Sequence, residues 1–338
     1  MDNSSSSPQV TVLMTVFNGE KYLAKAVESI LDQTYRDFEF LIIDDGSTDH
    51  TREILESYKD PRIKVIHNQL NMGIPISSNI GIALSQNGYI ARMDADDVSL
   101  PKRLEAQVAF LEANPEIGLL GTAVQDIDSE GRIIAKPRID MYESYMIQFG
   151  LAFECPLEHS SVIFRKKVVE EVGGYSSELG LGEDHHLYLR LIGSTQFANL
   201  RQVLLFHREN ESSITHTQSG LSFTSHVHLI KNEIERVTQN QYPFEVYEGL
   251  STKKWITPKL ARQIINCLLD LYFSYCQNEG MDEQQTRTLR YMLTYRINRI
   301  LLRTKPKFPV ADLYARNYFY NRSLLLRQVK VVFSTGRH

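Results

Sequence analysis

The feature that most constrains this chain is an alternation in its first hundred residues. Short apolar, β-favouring runs are followed by segments with helical spacing, and the runs end at turns or at acids. Residues 10–16 are nearly continuous in β-favouring side chains, as in strands buried on both faces. Phe17-Asn18-Gly19 turns the chain, after which Tyr22, Leu23, Ala26, Val27, Ile30 and Leu31 keep helical spacing. A second apolar run, 38–43, ends in Asp44-Asp45-Gly46-Ser47-Thr48-Asp49. There Gly46 permits a tight turn, and Ser47 or Thr48 is placed to cap a helix holding Ile54 and Leu55. A third strand over 63–66, a small-residue helix over 77–85 and a fourth strand continue the pattern. Such units build an α/β fold with a parallel sheet, whose ligands bind beyond the carboxyl ends of the strands.

The fourth strand carries the strongest chemical signal. Tyr89-Ile90-Ala91-Arg92-Met93 runs into Asp94-Ala95-Asp96-Asp97, three carboxylates within four residues. Charges so close need neutralising by protons, basic side chains or a cation. Two readings fit: the acids bind a divalent cation, or they cap the helix that starts after Ser99 and Pro101 and continues through Leu104, Val108 and Leu111. No Gly-x-Gly-x-x-Gly follows the first strand and no Walker lysine is present, which argues against a dinucleotide fingerprint and a phosphate loop. Any phosphate would fall to a metal.

At 338 residues there is room for one large α/β domain, or for one of about 200 residues with an appendage. Charged residues make up 23% and hydrophobic residues 42%, ordinary for a globular protein. Met1-Asp2-Asn3 and the serines that follow read as a disordered start over 1–8 rather than a signal peptide, and no apolar run is long enough to span a bilayer, so a cytoplasmic protein is expected. Cys155, Cys267 and Cys276 suit neither a disulfide framework nor a zinc site, and read as buried thiols.

After about 217 the alternation stops. Leu260, Ile264, Ile265, Leu268, Leu269 and Tyr272 keep helical spacing, as do Leu289, Leu293, Ile297 and Ile300, so 9–217 is expected as the α/β domain and 218–338 as a mainly helical region. Residues 286–338 hold twelve basic residues against the single acid Asp312, a balance of +11 that leaves −15 on the rest of a chain of formal charge −4. Interleaved with leucines, such a tail fits an anionic membrane surface, here the inner face of the cell membrane. It equally fits a basic face packed on the acidic domain or on a second subunit of a homo-oligomer. Nucleic acid is not expected, since no nucleic-acid module is present.

Several segments together resemble a known family. Thr15-Val16-Phe17-Asn18-Gly19-Glu20-Lys21-Tyr22-Leu23, Gln33-Thr34-Tyr35, Asp44 to Asp49, Asn71-Met72-Gly73, Asn79-Ile80-Gly81 and Asp94-Ala95-Asp96-Asp97 look like the nucleotide-sugar domain of glycosyltransferase family 2, with its GT-A fold. The resemblance covers about 9–215. It implies that Phe17 lies against the nucleotide base, that Asp45 hydrogen-bonds it and that Thr15 lines the same site. It further implies that Asp94 and Asp96 hold the donor, and that Asp96 and Asp97 hold Mn²⁺ or Mg²⁺ on its diphosphate. By themselves, Phe17 would be a core residue and Asp45 a turn former.

Further along, His159-Ser160-Ser161-Val162-Ile163-Phe164-Arg165 before Gly173-Gly174-Tyr175 resembles the family's acceptor side, which makes His159 a candidate supporting residue. Gly182-Glu183-Asp184 opens a helix whose Leu187 and Leu191 share a face. The acids there could simply complement the helix dipole. The resemblance makes Asp184 the general base, with Glu183 in support. Two departures stand out: Ser78 occupies a position where family members often carry arginine, and His207-Arg208-Glu209-Asn210 keeps the arginine but has Asn210 where a histidine falls. Arg208 is therefore a supporting candidate, and neither His207 nor Asn210 is taken as a metal ligand. The implied activity is metal-dependent, inverting transfer of a sugar from a nucleotide diphosphate sugar, expected to be a UDP-sugar, to a saccharide or lipid-linked hydroxyl in polysaccharide, lipopolysaccharide or glycolipid synthesis. The alternatives are a sugar nucleotidyltransferase, whose basic glycine-rich loop is missing, and a non-catalytic nucleotide-sugar or glycan-binding module, which would not need the acids.

Overall fold

The structure, a computed structural model, describes residues 10–139, 141–177, 182–209, 219–252, 254–278 and 280–305. The chain divides into two compact units, Met1–His226 and Val227–His338.

In the first unit the described strands are β1 Val10–Val16, β2 Phe38–Asp44, β3 Ile63–His67, β4 Tyr89–Asp94, β5 Val98–Ser99, β6 Ile117–Ile127, β7 Ile163–Arg165 and β8 Gln196–Arg208. They form one sheet in the order β3-β2-β1-β4-β7-β6-β8-β5. β3, β2, β1 and β4 are parallel, with the crossover helices α1 Leu23–Leu31, α2 Thr51–Ser57 and α3 Ile74–Leu84 between them in sequence. Every residue of β1 is buried, so its apolar run faces helices on both sides. β7 departs from simple alternation: it enters antiparallel between β4 and β6 and brings the segment after His159 beside β4. Further along are α4 Arg103–Ala113, α5 Ser144–Leu151, α6 Lys166–Glu171 and α7 Glu183–Leu191.

Two expected helix caps do not form. Neither Ser47 nor Thr48 caps α2; the Ser47 hydroxyl accepts from Asn18 N–H, and Thr48 N–H donates to Asn18 Oδ1. These bonds tie the turn after β1 to the turn after β2. Nor do Asp94, Asp96 and Asp97 cap α4, which starts at Arg103 with no cap from its own flank. Its Leu104 N–H donates to Gln33 Oε1, while Gln33 Nε2 holds Leu100 O at 2.8 Å and Ser99 Oγ at 3.1 Å. A buried glutamine from the end of α1 thus caps the helix, and the acids are left to the strand end.

The remaining described helices are α8 Ser219–Thr238, α9 Phe244–Ser251, α10 Pro258–Asn278 and α11 Glu283–Leu302. α11 begins with a capping box between Asp282 and Gln285. Ile264, Leu268, Leu271, Leu289, Leu293 and Ile297 form buried faces at the expected spacing. Among the described residues no helix is long and apolar enough to cross a membrane. Residues 1–8, Asn210 and the basic tail beyond Lys305, including Leu324 to Leu326 and Val331 to Phe333, lie outside the described residues.

Candidate active site

The parallel strands end side by side, with Val16 opposite Asp44 and Thr15 opposite Asp94, which gathers Phe17, Asp45 and the Asp94 to Asp97 turn at one edge of the sheet. Phe17 is not a core residue. It stands 47% exposed just past β1, an aromatic ring left open where sheets of this kind bind ligands. Thr15 is buried, and its Oγ1 accepts from Arg92.

Asp45 is buried and organises the neighbouring loop. Its Oδ1 accepts from Asn68 Nδ2, Met72 N–H and Ser77 Oγ, and its Oδ2 from Gly73 N–H at 2.8 Å. Burial works against the charge, but these donors hold the carboxyl below its ordinary range. The loop comes so close that a Cβ on Gly46, at φ +76°, would lie 2.7 Å from the Leu70 carbonyl carbon. That position admits glycine alone.

Behind the acids sits Arg92, fully buried, whose guanidinium lies 2.8 Å from Asp94 Oδ1. Burial would raise the Asp94 carboxyl, yet Arg92 outweighs it and holds the group ionised below its usual range. Arg103, also fully buried, donates from Nη2 to Arg92 O, and burial lowers it to about 10. Asp97 behaves differently. Its Oδ1 accepts from Arg208 N–H at 2.8 Å, while Oδ2 is buried without a hydrogen-bond partner. Burial, then the neighbouring Asp96, push its carboxyl well above the usual range. A bare, buried carboxylate oxygen crowded by a second acid is chemistry that a divalent cation satisfies, and hard oxygen donors suit Mn²⁺ or Mg²⁺. Among the described residues no three His, Cys, Asp or Glu side chains converge on one point. The residues fit an ion that takes one or two carboxylates and completes its shell with phosphate and water, as Mg²⁺ sites commonly do.

Arg208 fastens this turn. Besides its N–H bond to Asp97, its Nε donates to Asp96 O at 2.7 Å and its Nη1 to Asp128 O at 2.8 Å, with the guanidinium over the Tyr22 ring. The contacts are to backbone and ring, so Arg208 sets the shape of the acid turn. His207, next to it, lies 3.2 Å from Asp126 Oδ1, with Glu158 at 3.9 Å.

A second group of acids stands at the start of α7. Gly182 at φ +86° opens the helix, and Glu183 and Asp184 occupy its first turn at the positive end of the dipole. Asp184 Oδ1 accepts from His185 N–H at 2.7 Å, and the Cys155 thiol lies 3.9 Å from Oδ2. Burial, and then the Glu183 charge, raise Asp184 to about 7. The Asp94 charge adds to that rise, and Arg92 acts in the opposite sense on Glu183, so β4's end and α7's start share one electrostatic field. Tyr175 is held nearby: its hydroxyl is 2.8 Å from His159 Nε2, and its backbone is clamped by the Asn79 amide. His159 is buried and pushed down to about 3, chiefly by burial and then by Arg92, so it is a neutral imidazole holding a phenol.

A family model for glycosyl transferase family 2 matches residues 11–173. An uncharacterized glycosyltransferase of Methanocaldococcus jannaschii is 34% identical over 213 residues, 62% of this chain and 73% of its own length. The chain belongs to glycosyltransferase family 2. The O-antigen biosynthesis glycosyltransferase WbnJ of Escherichia coli is 31% identical over 212 residues, 60% of this chain and 81% of that one. Among solved structures, S. aureus TarS 1-349 in complex with UDP-GlcNAc matches at a TM-score of 0.57 and 17% identity, covering 98% of this chain and 93% of that chain. That likeness is one of fold, the GT-A fold that the resemblance implied.

Within this family 2 glycosyltransferase, sequence reasoning missed residues that hold the site. Arg92, Arg103 and Gln33 touch the strand-end acids or the segment that carries them, and Asn79 holds the Tyr175 backbone, yet the sequence reading gives none of them a role. One signal was visible: an arginine inside the apolar run before Asp94 has to find a partner when buried. Ser78, where family members often carry arginine, is fully buried.

Proposed function

We propose that this glycosyltransferase moves a sugar from a UDP-sugar to a hydroxyl of a saccharide or lipid-linked acceptor, with inversion at the anomeric carbon and with Mn²⁺ or Mg²⁺ as cofactor. The observation that carries the reading is Asp184, a carboxylate raised to about 7 within the electrostatic reach of the strand-end acids. Its proton affinity is matched to accepting a proton from a hydroxyl near neutral pH. The acceptor oxygen bonds to the anomeric carbon as its proton passes to Asp184, and the bond from that carbon to the diphosphate oxygen breaks, releasing UDP. Attack from the face opposite the leaving group inverts the centre, and no covalent intermediate with the enzyme is needed.

The donor lies at the strand ends in this reading. Phe17 faces the base; Asp45 fixes the 68–73 loop beside it and keeps one acceptor direction on Oδ2 for a base N–H; Thr15 lines the floor. Asp94, kept ionised by Arg92, takes ribose hydroxyls, and Asp96 and Asp97 would hold the metal. Bound there, a divalent ion supplies positive charge to the departing diphosphate. Glu183 positions the acceptor, and the His159–Tyr175 pair supports that side of the site. The TarS complex with UDP-GlcNAc supports uridine as the base, and WbnJ, an O-antigen biosynthesis glycosyltransferase, supports a saccharide acceptor. Residues 9–217 carry all of these groups.

Calorimetric titration of UDP-GlcNAc with Mn²⁺ and with a chelator tests donor and metal together, and product analysis tests the reaction. Donor binding in Mn²⁺ alone, and UDP as product, are expected. Equal affinity in chelator removes the metal from the proposal, and a sugar 1-phosphate product would mark nucleotidyl transfer instead.

A further inference from the structure

Leu289, Leu293, Ile297 and Ile300 turn one face of α11 into the core of its unit. The other face carries Arg287, Tyr291, Tyr295, Arg299 and Leu302, all exposed. At 3.6 residues per turn these positions fall within an arc of about 120°. The apolar members are unusually open: Tyr291 is 63% exposed and Leu302 71%. Just past the helix, Ile256 N–H donates to Arg303 O, which sets Trp255, 58% exposed, beside Lys305 with Nζ 3.9 Å from its ring centroid. From Gln284 to Lys305 the sequence contains Arg287, Arg290, Arg296, Arg299, Arg303 and Lys305 and no acid.

We infer that this face of α11, with Trp255 and Lys305 at its end, docks on an anionic lipid bilayer. Charge selects the partner, because Arg287, Arg299 and Lys305 stand exposed on this face and its end with no acid between Gln284 and Lys305, and each contributes through a screened attraction to a surface of opposite sign. The apolar members select lipid over an acidic polymer. Leu302 gains nothing from a polyanion in water but is removed from water in the acyl boundary, where tyrosine and tryptophan rings also settle at headgroup level. The helix needs no refolding to bind, since its inward face is already satisfied.

Co-sedimentation of the full chain with phosphatidylcholine vesicles, with and without phosphatidylglycerol, tests this independently of catalysis. Preference for the anionic vesicles, weakened by salt, is expected. Arg287→Gln with Arg299→Gln should lower partition on the order of tenfold at low salt. Tyr291→Ser, Tyr295→Ser and Leu302→Ser together should remove the binding that survives at high salt, with unchanged circular-dichroism melting. Unchanged partition in both variants, with loss only on removal of residues 306–338, overturns the assignment to α11. So does equal binding to neutral vesicles, binding to dextran sulfate but not to vesicles, or a dimer that the triple substitution dissociates while vesicles go unbound.

Discussion

The Arg92 guanidinium, fully buried on β4, lies 2.8 Å from Asp94 Oδ1 and 3.0 Å from Thr15 Oγ1. This pair keeps Asp94 charged, while Asp97, three residues on, is pushed the other way.

Arg92→Met should therefore strip Asp94 of its counter-ion and destabilise the fold by roughly 2–3 kcal/mol, below the full loss for a wholly buried pair because the Asp94 side chain keeps 31% exposure. The folded carboxyl is held below its unfolded value, so the stabilisation is present above about pH 4 and fades as pH falls through the folded pKa. Urea denaturation of both proteins at pH 7 and at the lowest pH that keeps them folded checks this; a gap that widens on acidification would reverse the sign.

Asp97→Asn should separate metal binding from stability. The carboxyl is pushed up in the folded chain, so ionising it costs stability at neutral pH, and the amide relieves that cost. In chelator the variant should melt at or above the wild-type temperature. With Mn²⁺ and UDP only the wild type should gain, because a ligand that binds the native state alone raises its stability. An equal gain in both proteins takes Asp97 out of the metal site.

Asp184→Asn should lower kcat by about 10²- to 10⁴-fold with little change in donor affinity. In the wild type, kcat/KM should rise with pH through about 7, as the base loses its proton. The same raised carboxyl favours the folded state fully below about pH 4, and the benefit is lost as pH rises toward 7. A flat rate profile across that window, or donor affinity lost with the substitution, would assign the base elsewhere.

Phe17→Ala and Asp45→Ala should part company. Phe17 is exposed, so its loss should change stability by no more than about 0.5 kcal/mol while UDP affinity falls roughly tenfold, within the range of one base–aromatic stack. Asp45→Ala leaves four donors without their acceptor and should also cost about 1–3 kcal/mol in stability. Melting and UDP titration of both variants read the contrast; a Phe17→Ala protein that melts early with normal UDP affinity would return the ring to the core.

The parallel half of the sheet was legible because β1, β2 and β4 are buried on both faces and spell that out in apolar residues. α10 and α11 were legible from their 3.6-residue period. The caps were not. Ser47 and Thr48 sit where local rules put a cap, but Asn18 draws both toward the turn after β1, and Gln33 reaches α4 from a distant part of the chain. The insertion of β7 between β4 and β6 was equally hidden, since three residues give no period and their partners lie more than forty residues away.

The sequence by itself determined which elements form and which acids stand at the strand ends, because both are properties of near neighbours along the chain. Tertiary structure alone decided that Phe17 is open rather than packed, that Asp45 spends most of its acceptors on a loop, and that Asp94, Asp97 and Asp184 titrate apart. Burial sets those states first and comes from residues remote in sequence, while the charges that act next, Arg92 on Asp94, Asp96 on Asp97 and Glu183 on Asp184, are near neighbours whose effect that burial strengthens. An identical carboxyl group is held ionised or keeps its proton according to what the fold places around it.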